Sequence, residues 1–152
     1  EMPKNWPIAA LQAQAIAART YALKQQRRDK SYDIRSTEVS QVYLGIESQT
    51  QKTMQAVKST RSLVMVYNNK LINAVFHSSS GGRTENSGAV WKYQMPYLVS
   101  VRDHDQHGLK YQWEMKFPPK QLQQAFHEIG GLNKIRVLEK SKTDRVPKNR
   151  LC

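Results

Sequence analysis

Residues 62–77 read SLVMVYNNKLINAVFH. Two β-rich runs flank Asn68-Asn69, and asparagine tolerates the positive φ angles that a two-residue hairpin turn requires. The stretch predicts a β-hairpin from residue 62 to residue 77. It runs into Ser78-Ser79-Ser80-Gly81-Gly82, where small polar residues and glycines break a regular strand and form a tight loop. His77 therefore belongs at a strand-to-loop junction.

Upstream, residues 7–27 (PIAALQAQAIAARTYALKQQR) place Leu11, Ala15, Ala18 and Ala22 on one helical stripe. Pro7 suits the first turn, and the small side chains predict close packing of this helix on a sheet. Residues 28–37 are polar and read as a loop, and Val39, Val42 and Tyr43 suit a short strand or turn. Ser48 or Thr50 is placed to cap a short helix carrying Met54, Ala56 and Val57 as far as Ser59.

Downstream, YLVSV (97–101) and the alternating Tyr111, Trp113, Met115 and Phe117 predict two more strands, the second ended by Pro118-Pro119. Leu122, Ala125, Phe126 and Ile129 have helical spacing, with Gly130-Gly131 closing that helix, and Ile135, Val137 and Leu138 suggest a last strand. Helices and hairpin-joined strands mix without regular βαβ alternation, so the expected class is α+β. The expected architecture is an Ala-rich N-terminal helix packed on a mixed or antiparallel sheet, a central hairpin, and a second short helix near the C-terminus.

The 152 residues suffice for one domain, 1–152, and contain neither a repeat nor an internal linker. Apolar residues make up 39%, below the usual ~45–50%, which predicts a modest core. Twenty-four Lys and Arg against 12 Asp and Glu give a net charge of +12, a field that favours anionic partners and says nothing about fold. The single cysteine, Cys152, forms neither an internal disulfide nor a Cys-rich zinc cage. No run of apolar residues reaches a membrane span, and the start at Glu1 without Met or signal peptide reads as a piece of a longer protein, with upstream and downstream elements expected beyond it.

Chemistry-bearing residues narrow the choice little by themselves. The His77–Gly82 run resembles an exposed nucleophile loop but lacks the spacing of a hydrolase elbow. His77, His104, His107 and His127 lack metal-ligand spacing, and His104-Asp105-Gln106-His107 reads as a solvated turn, so no metal and no cofactor are expected. Residues 134–152 hold seven Lys and Arg against two acids, yet no nucleic-acid reader motif accompanies them, so no nucleic-acid partner is expected and the run reads as a solvated face. Glycosidic-bond cleavage needs a carboxylic acid on the leaving oxygen, and Glu1, Glu38, Glu47, Glu85 and Glu114 are candidates that spacing does not rank.

Several blocks in order resemble the stage II sporulation protein D (SpoIID) and LytB amidase-enhancer family. They are Glu1-Met2-Pro3 with Trp6-Pro7, LQAQAIAARTYAL (11–23), Tyr32-Asp33-Ile34, SQVYLG (40–45), FHSSSGGRTE (76–85), Trp91, and PYLVSVRD (96–103). The resemblance implies a single SpoIID-like domain acting on peptidoglycan outside the cytoplasm, in the cell envelope. For the sporulation branch it implies a lytic transglycosylase that cleaves peptide-stripped glycan strands, with Glu1 as the catalytic acid/base. For the enhancer branch it implies a non-catalytic wall-binding module that stimulates a cell-wall amidase. A cationic nucleic-acid binder is a third reading, suggested by charge alone.

The same resemblance assigns substrate-binding roles. Arg19, in the ARTY segment, would pair with a substrate carboxylate or orient Glu1, since arginine offers a fixed donor fork. Gln41 and Tyr43, two apart on a possible strand, would offer amide and phenol hydrogen bonds to sugar groups. His77, Ser78, Ser80 and Glu85 would build the groove floor, with Glu85 alternatively holding the loop through its own backbone. Trp91 and Tyr97 are weaker candidates for sugar-stacking platforms. Where some members place Cys and His zinc ligands before Gln-Val-Tyr, this chain has Val39-Ser40, and where members commonly carry Lys it has Gln12.

Overall fold

The structure, a computed structural model, describes residues 2–26, 31–37, 39–108, 111–131 and 134–146. The chain forms two compact units, residues 1–76 and 77–152.

In the first unit the Ala-rich stripe forms helix α1 (Ile8–Gln25), which starts behind the extended Pro7. Its main packing partner is helix α2 (Gln51–Ser59), and it also touches the second hairpin strand described below. Small residues make this approach possible: Ala56 of α2 is buried, as are Leu11 of α1 and Ala74. Thr50 caps α2 through a reciprocal box, its hydroxyl accepting from Thr53 N–H at 3.2 Å while Thr53 Oγ1 accepts from Thr50 N–H at 2.9 Å. Thr20, fully buried in α1, donates to Ile16 O at 2.7 Å and accepts from Met65 N–H at 2.9 Å, which ties the helix to the hairpin segment.

The hairpin consists of β1 (Val66–Tyr67) and β2 (Lys70–Leu71), antiparallel, with Val66 opposite Leu71. Asn68 and Asn69 have φ of 48° and 58°, the left-handed pair of a type I′ turn. One further bond, Ile72 N–H to Met65 O at 3.2 Å, continues the pairing. The regular ladder is thus much shorter than the expected 62–77.

The second unit contains α3 (Ser87–Val90) and α4 (Pro119–Ala125), the short helix expected near the C-terminus. A 3₁₀ turn at His127–Ile129 follows α4, and Gly130 closes it in the left-handed region with φ of 82°. With helices and one antiparallel pair, the class is α+β.

Three expected strands are not strands. Residues 97–101 do lie alongside 83–87, with Thr84 N–H on Val101 O at 2.9 Å, Ser87 N–H on Leu98 O at 3.1 Å, and an isolated bridge between Arg83 and Arg102. Side chains occupy the ladder positions between: Val101 N–H donates to Thr84 Oγ1 and Ser100 N–H to Asn86 Oδ1, at 2.8 and 2.9 Å. A side-chain acceptor satisfies an amide as well as a carbonyl does and interrupts the ladder. Residues 111–117 and 135–138 pair with no strand among the described residues, and Trp113 is 77% exposed. Residues 39–43 are a folded loop instead, with Ser40, Gln41 and Tyr43 N–H donating back to Thr37, Arg35 and Ser36 carbonyls.

Candidate functional site

In the first unit a cleft of about 460 Å³ opens between the Ala15 and Ala18 side of α1, the 34–43 loop and α2. Met2, Gln41 and Tyr43 all line it. A wider depression of about 950 Å³ is lined by Met2, Tyr43, Glu47 and Lys58 among others. Gln41 faces α1, its amide donating to Ala18 O at 2.9 Å, so it ties the loop to the helix at the cleft. Tyr43 is 70% exposed and turned to solvent. The expected common strand face of these two residues is replaced by the returning arm of a folded loop, from which both border the same cavity. Glu1, the expected acid/base, lies outside the described residues, as does Glu38; Met2, covalently next to Glu1, lines the cleft.

Arg19 lies half-buried on α1 and donates from Nη1 to Thr60 O at 2.8 Å and Leu63 O at 2.9 Å. These carbonyls follow the last turn of α2, where helix geometry leaves acceptors without intrahelical donors. The guanidinium therefore serves as a cationic cap that fastens α2 to α1. Gln12 makes a parallel link, its amide donating to Ser59 Oγ at 2.8 Å.

In the second unit the 77–85 loop wraps around a carboxylate. Asp105 Oδ2 accepts from Ser79 Oγ at 2.6 Å, Ser80 N–H at 2.6 Å and Gly81 N–H at 2.9 Å, and Oδ1 accepts from Gly82 N–H at 2.8 Å. The Ser79 hydroxyl first, and then the three amides, hold the Asp105 carboxyl well below the usual carboxylate range against the opposing effect of burial. Gly81 and Gly82 have φ of 66° and 94°, and a Cβ on Gly82 would stand 3.3 Å from the Tyr111 hydroxyl, so this turn needs glycine at 82 on both counts. Ser80 donates its hydroxyl to Asp103 Oδ2 at 2.7 Å. His77 and Ser78, at the mouth of the loop, are exposed.

Glu85 is almost covered, its side chain 12% exposed. Oε2 accepts from the Ser141 hydroxyl at 2.6 Å and from the Thr143 hydroxyl, Oε1 accepts from Asn86 N–H at 2.8 Å, and Arg145 stands 3.8 Å away. Burial pushes this carboxyl up, but the Ser141 and Thr143 hydroxyls, the Asn86 amide and the Arg145 charge outweigh it and bring it below its ordinary value. Arg145 also donates to Ser80 O and, at 2.5 Å, to Arg83 O.

Two expectations are thus corrected. Asp105 is no solvated turn residue but the anchor of the Ser79–Gly82 loop, and Arg145, inside the supposedly solvated basic run, binds that loop from the carbonyl side. Neither position carries a local sequence signal, because each acts across more than 20 residues of chain. Trp91 is half-exposed, while Tyr97 donates its hydroxyl to Met95 Sδ at 3.4 Å. Among the described residues no three His, Cys, Asp or Glu side chains come together as metal ligands would, and no helix is long and apolar enough to cross a membrane.

The profile of the SpoIID family, described as Stage II sporulation protein, matches residues 1–67. The chain is 41% identical over 103 residues to a Bacillus subtilis (strain 168) protein named Amidase enhancer, covering 68% of this chain and 14% of that protein. It is 33% identical over 142 residues to the Stage II sporulation protein D of the same organism, covering 82% of this chain and 41% of that protein. The corresponding Bacillus amyloliquefaciens protein is 33% identical over 135 residues, covering 78% of this chain and 37% of that protein. The chain spans less than half the length of each of these relatives. These matches bear out the resemblance carried by the motifs: the chain is a relative of the stage II sporulation protein D and amidase-enhancer proteins.

Proposed function

We propose that the chain acts in the cell envelope on peptidoglycan glycan strands, as a lytic transglycosylase for strands stripped of peptide, with Glu1 as acid/base. The observation that carries this reading is the convergence of Met2, Gln41 and Tyr43, from two separate family motifs, on one cleft of about 460 Å³. Protonated Glu1 donates to the oxygen between N-acetylmuramic acid and N-acetylglucosamine. The resulting carboxylate takes the proton of the muramic 6-hydroxyl as that oxygen closes on the anomeric carbon, which leaves a 1,6-anhydro end and uses no water. One carboxylate suffices for both transfers. Such a donor needs a raised pKa, which apolar neighbours would supply. Gln41 and Tyr43 supply the polar edge that would contact sugar hydroxyl and N-acetyl groups, and in the second unit the exposed His77 and Ser78 would contact glycan, with Ser80 and Glu85 holding their loop.

Mass spectrometry of peptide-stripped glycan incubated with the full-length protein tests this. New 1,6-anhydro ends are expected, falling at least about a hundredfold with Glu1→Gln, the lower range of a general acid's contribution. Absent anhydro ends, or an unchanged yield from E1Q, overturns it.

A second reading, a wall-binding module that stimulates an amidase, is favoured by the name of one relative, Amidase enhancer, 41% identical over 103 residues. Sedimentation with sacculi, no released glycan fragments, and faster amidase turnover on mixing are the results expected of it.

A further inference from the structure

We propose that Asp105 is a positioning residue that fixes the Ser79–Gly82 turn in the shape presenting His77 and Ser78 to a glycan strand. This rests on the wall-glycan reading above. The turn exposes a row of inward-pointing amides, and left alone they would be bridged by water in many arrangements. Asp105 collects three of them and the Ser79 hydroxyl on one carboxylate, between 2.6 and 2.9 Å. A charged acceptor with two oxygens is the one side-chain group able to satisfy four donors at once.

The opposite side of the same turn is also occupied. Arg145 donates to the carbonyls of Ser80 and Arg83 and stands beside Glu85. The turn's amides are thus held by an anion, its Ser80 carbonyl by a cation and its Gly82 carbonyl by the Asp103 N–H at 3.0 Å. His77 and Ser78 stand exposed before the turn, as do Gly81 within it and Arg83 after it, whereas Ser80 and Glu85 are engaged inside the unit. On this proposal His77 and Ser78 meet the glycan, held in place by a carboxylate whose oxygens are occupied by the turn.

The test uses the full chain, its affinity for purified peptide-stripped glycan strands, and the amide resonances of Gly81 and Gly82. Asp105→Asn should weaken glycan binding about tenfold, the effect of losing charge-assisted hydrogen bonds, and shift both glycine amides. Ser79→Ala removes a single donor and keeps the measurement possible if the Asp105 variant does not fold; it should weaken binding a few fold. Ser79→Thr should restore wild-type affinity, a rescue that bulk destabilisation would not give. If the wild-type chain binds no glycan, the wall reading fails and this proposal with it. If the wild type binds and D105N and S79A bind equally well while the glycine amides move, the positioning role alone is overturned.

Discussion

At the residue scale, Arg19, Asp105 and Arg145 each hold backbone groups of another segment. Arg19 closes the carbonyls of Thr60 and Leu63 behind α2, at 2.8 and 2.9 Å. Arg19→Ala would leave the Thr60 carbonyl with only the Leu63 N–H at 3.1 Å and return the exposed Leu63 carbonyl to water, which costs about 1 kcal/mol, the net worth of a hydrogen bond; urea unfolding should register that loss, and Arg19→Lys should recover part of it because lysine lacks the guanidinium fork. A substrate-pairing arginine would behave differently, losing glycan affinity with stability unchanged. Glu85 makes a pH-dependent contribution. Its folded carboxyl titrates below the ordinary value of 4.5 because the Ser141 and Thr143 hydroxyls, the Asn86 amide and Arg145 outweigh burial. A depressed carboxyl stabilises the fold above its unfolded pKa and loses that contribution as pH falls through the folded value. Thermal unfolding of wild type and Glu85→Gln should therefore differ most above the ordinary carboxyl value of 4.5 and converge as the pH falls below it through the depressed folded value.

At the element scale, what was legible in the sequence is what neighbouring residues decide. The Asn68-Asn69 turn, the α2 cap and the Ala stripe of α1 each depend on residues within four positions; the turn and the stripe stand where the sequence placed them, and of the two cap candidates Ser48 and Thr50 the structure uses Thr50. Thr50→Ala should cost about 1 kcal/mol by thermal denaturation, the usual value of an N-cap. Asn69→Val should cost about 1–2 kcal/mol, since a β-branched residue is forced into the left-handed region there. Alternation in YLVSV and in Tyr111 to Phe117 reports two faces but not a partner. For 97–101 the partner positions are taken by the side chains of Thr84 and Asn86, a substitution that no periodicity reveals. The site divides in the same way: Gln41, Tyr43 and the Ser-Gly loop were legible as motifs, whereas Asp105 and Arg145 emerge only when distant segments meet.

At the scale of the whole molecule, the proposed wall binding predicts separable contributions from the net charge of +12 and from the Tyr43 cleft. Among the described residues only Leu11, Ala56 and Ala74 are buried apolar side chains, so the polar networks around Arg19, Thr20, Asp105 and Glu85 carry much of the definition of the two units. The exposed Lys4, Lys58, Arg61, Lys134, Arg136 and Lys142 act as a field. A field is screened within about 8 Å at physiological ionic strength, whereas hydrogen bonds in a cleft are not. Retention on sacculi should accordingly fall as sodium chloride rises from about 0.05 to 0.5 M, because the Debye length shrinks severalfold over that range. It should fall to a plateau rather than to zero, and Tyr43→Ala should remove the plateau while leaving the salt-sensitive part intact. Duplex DNA offers charge without sugar N-acetyl groups, so its retention should fall steeply with salt and show no plateau. Equal salt curves for sacculi and DNA would mean that charge alone brings this protein to its partner, and that the cleft has no part in holding it there.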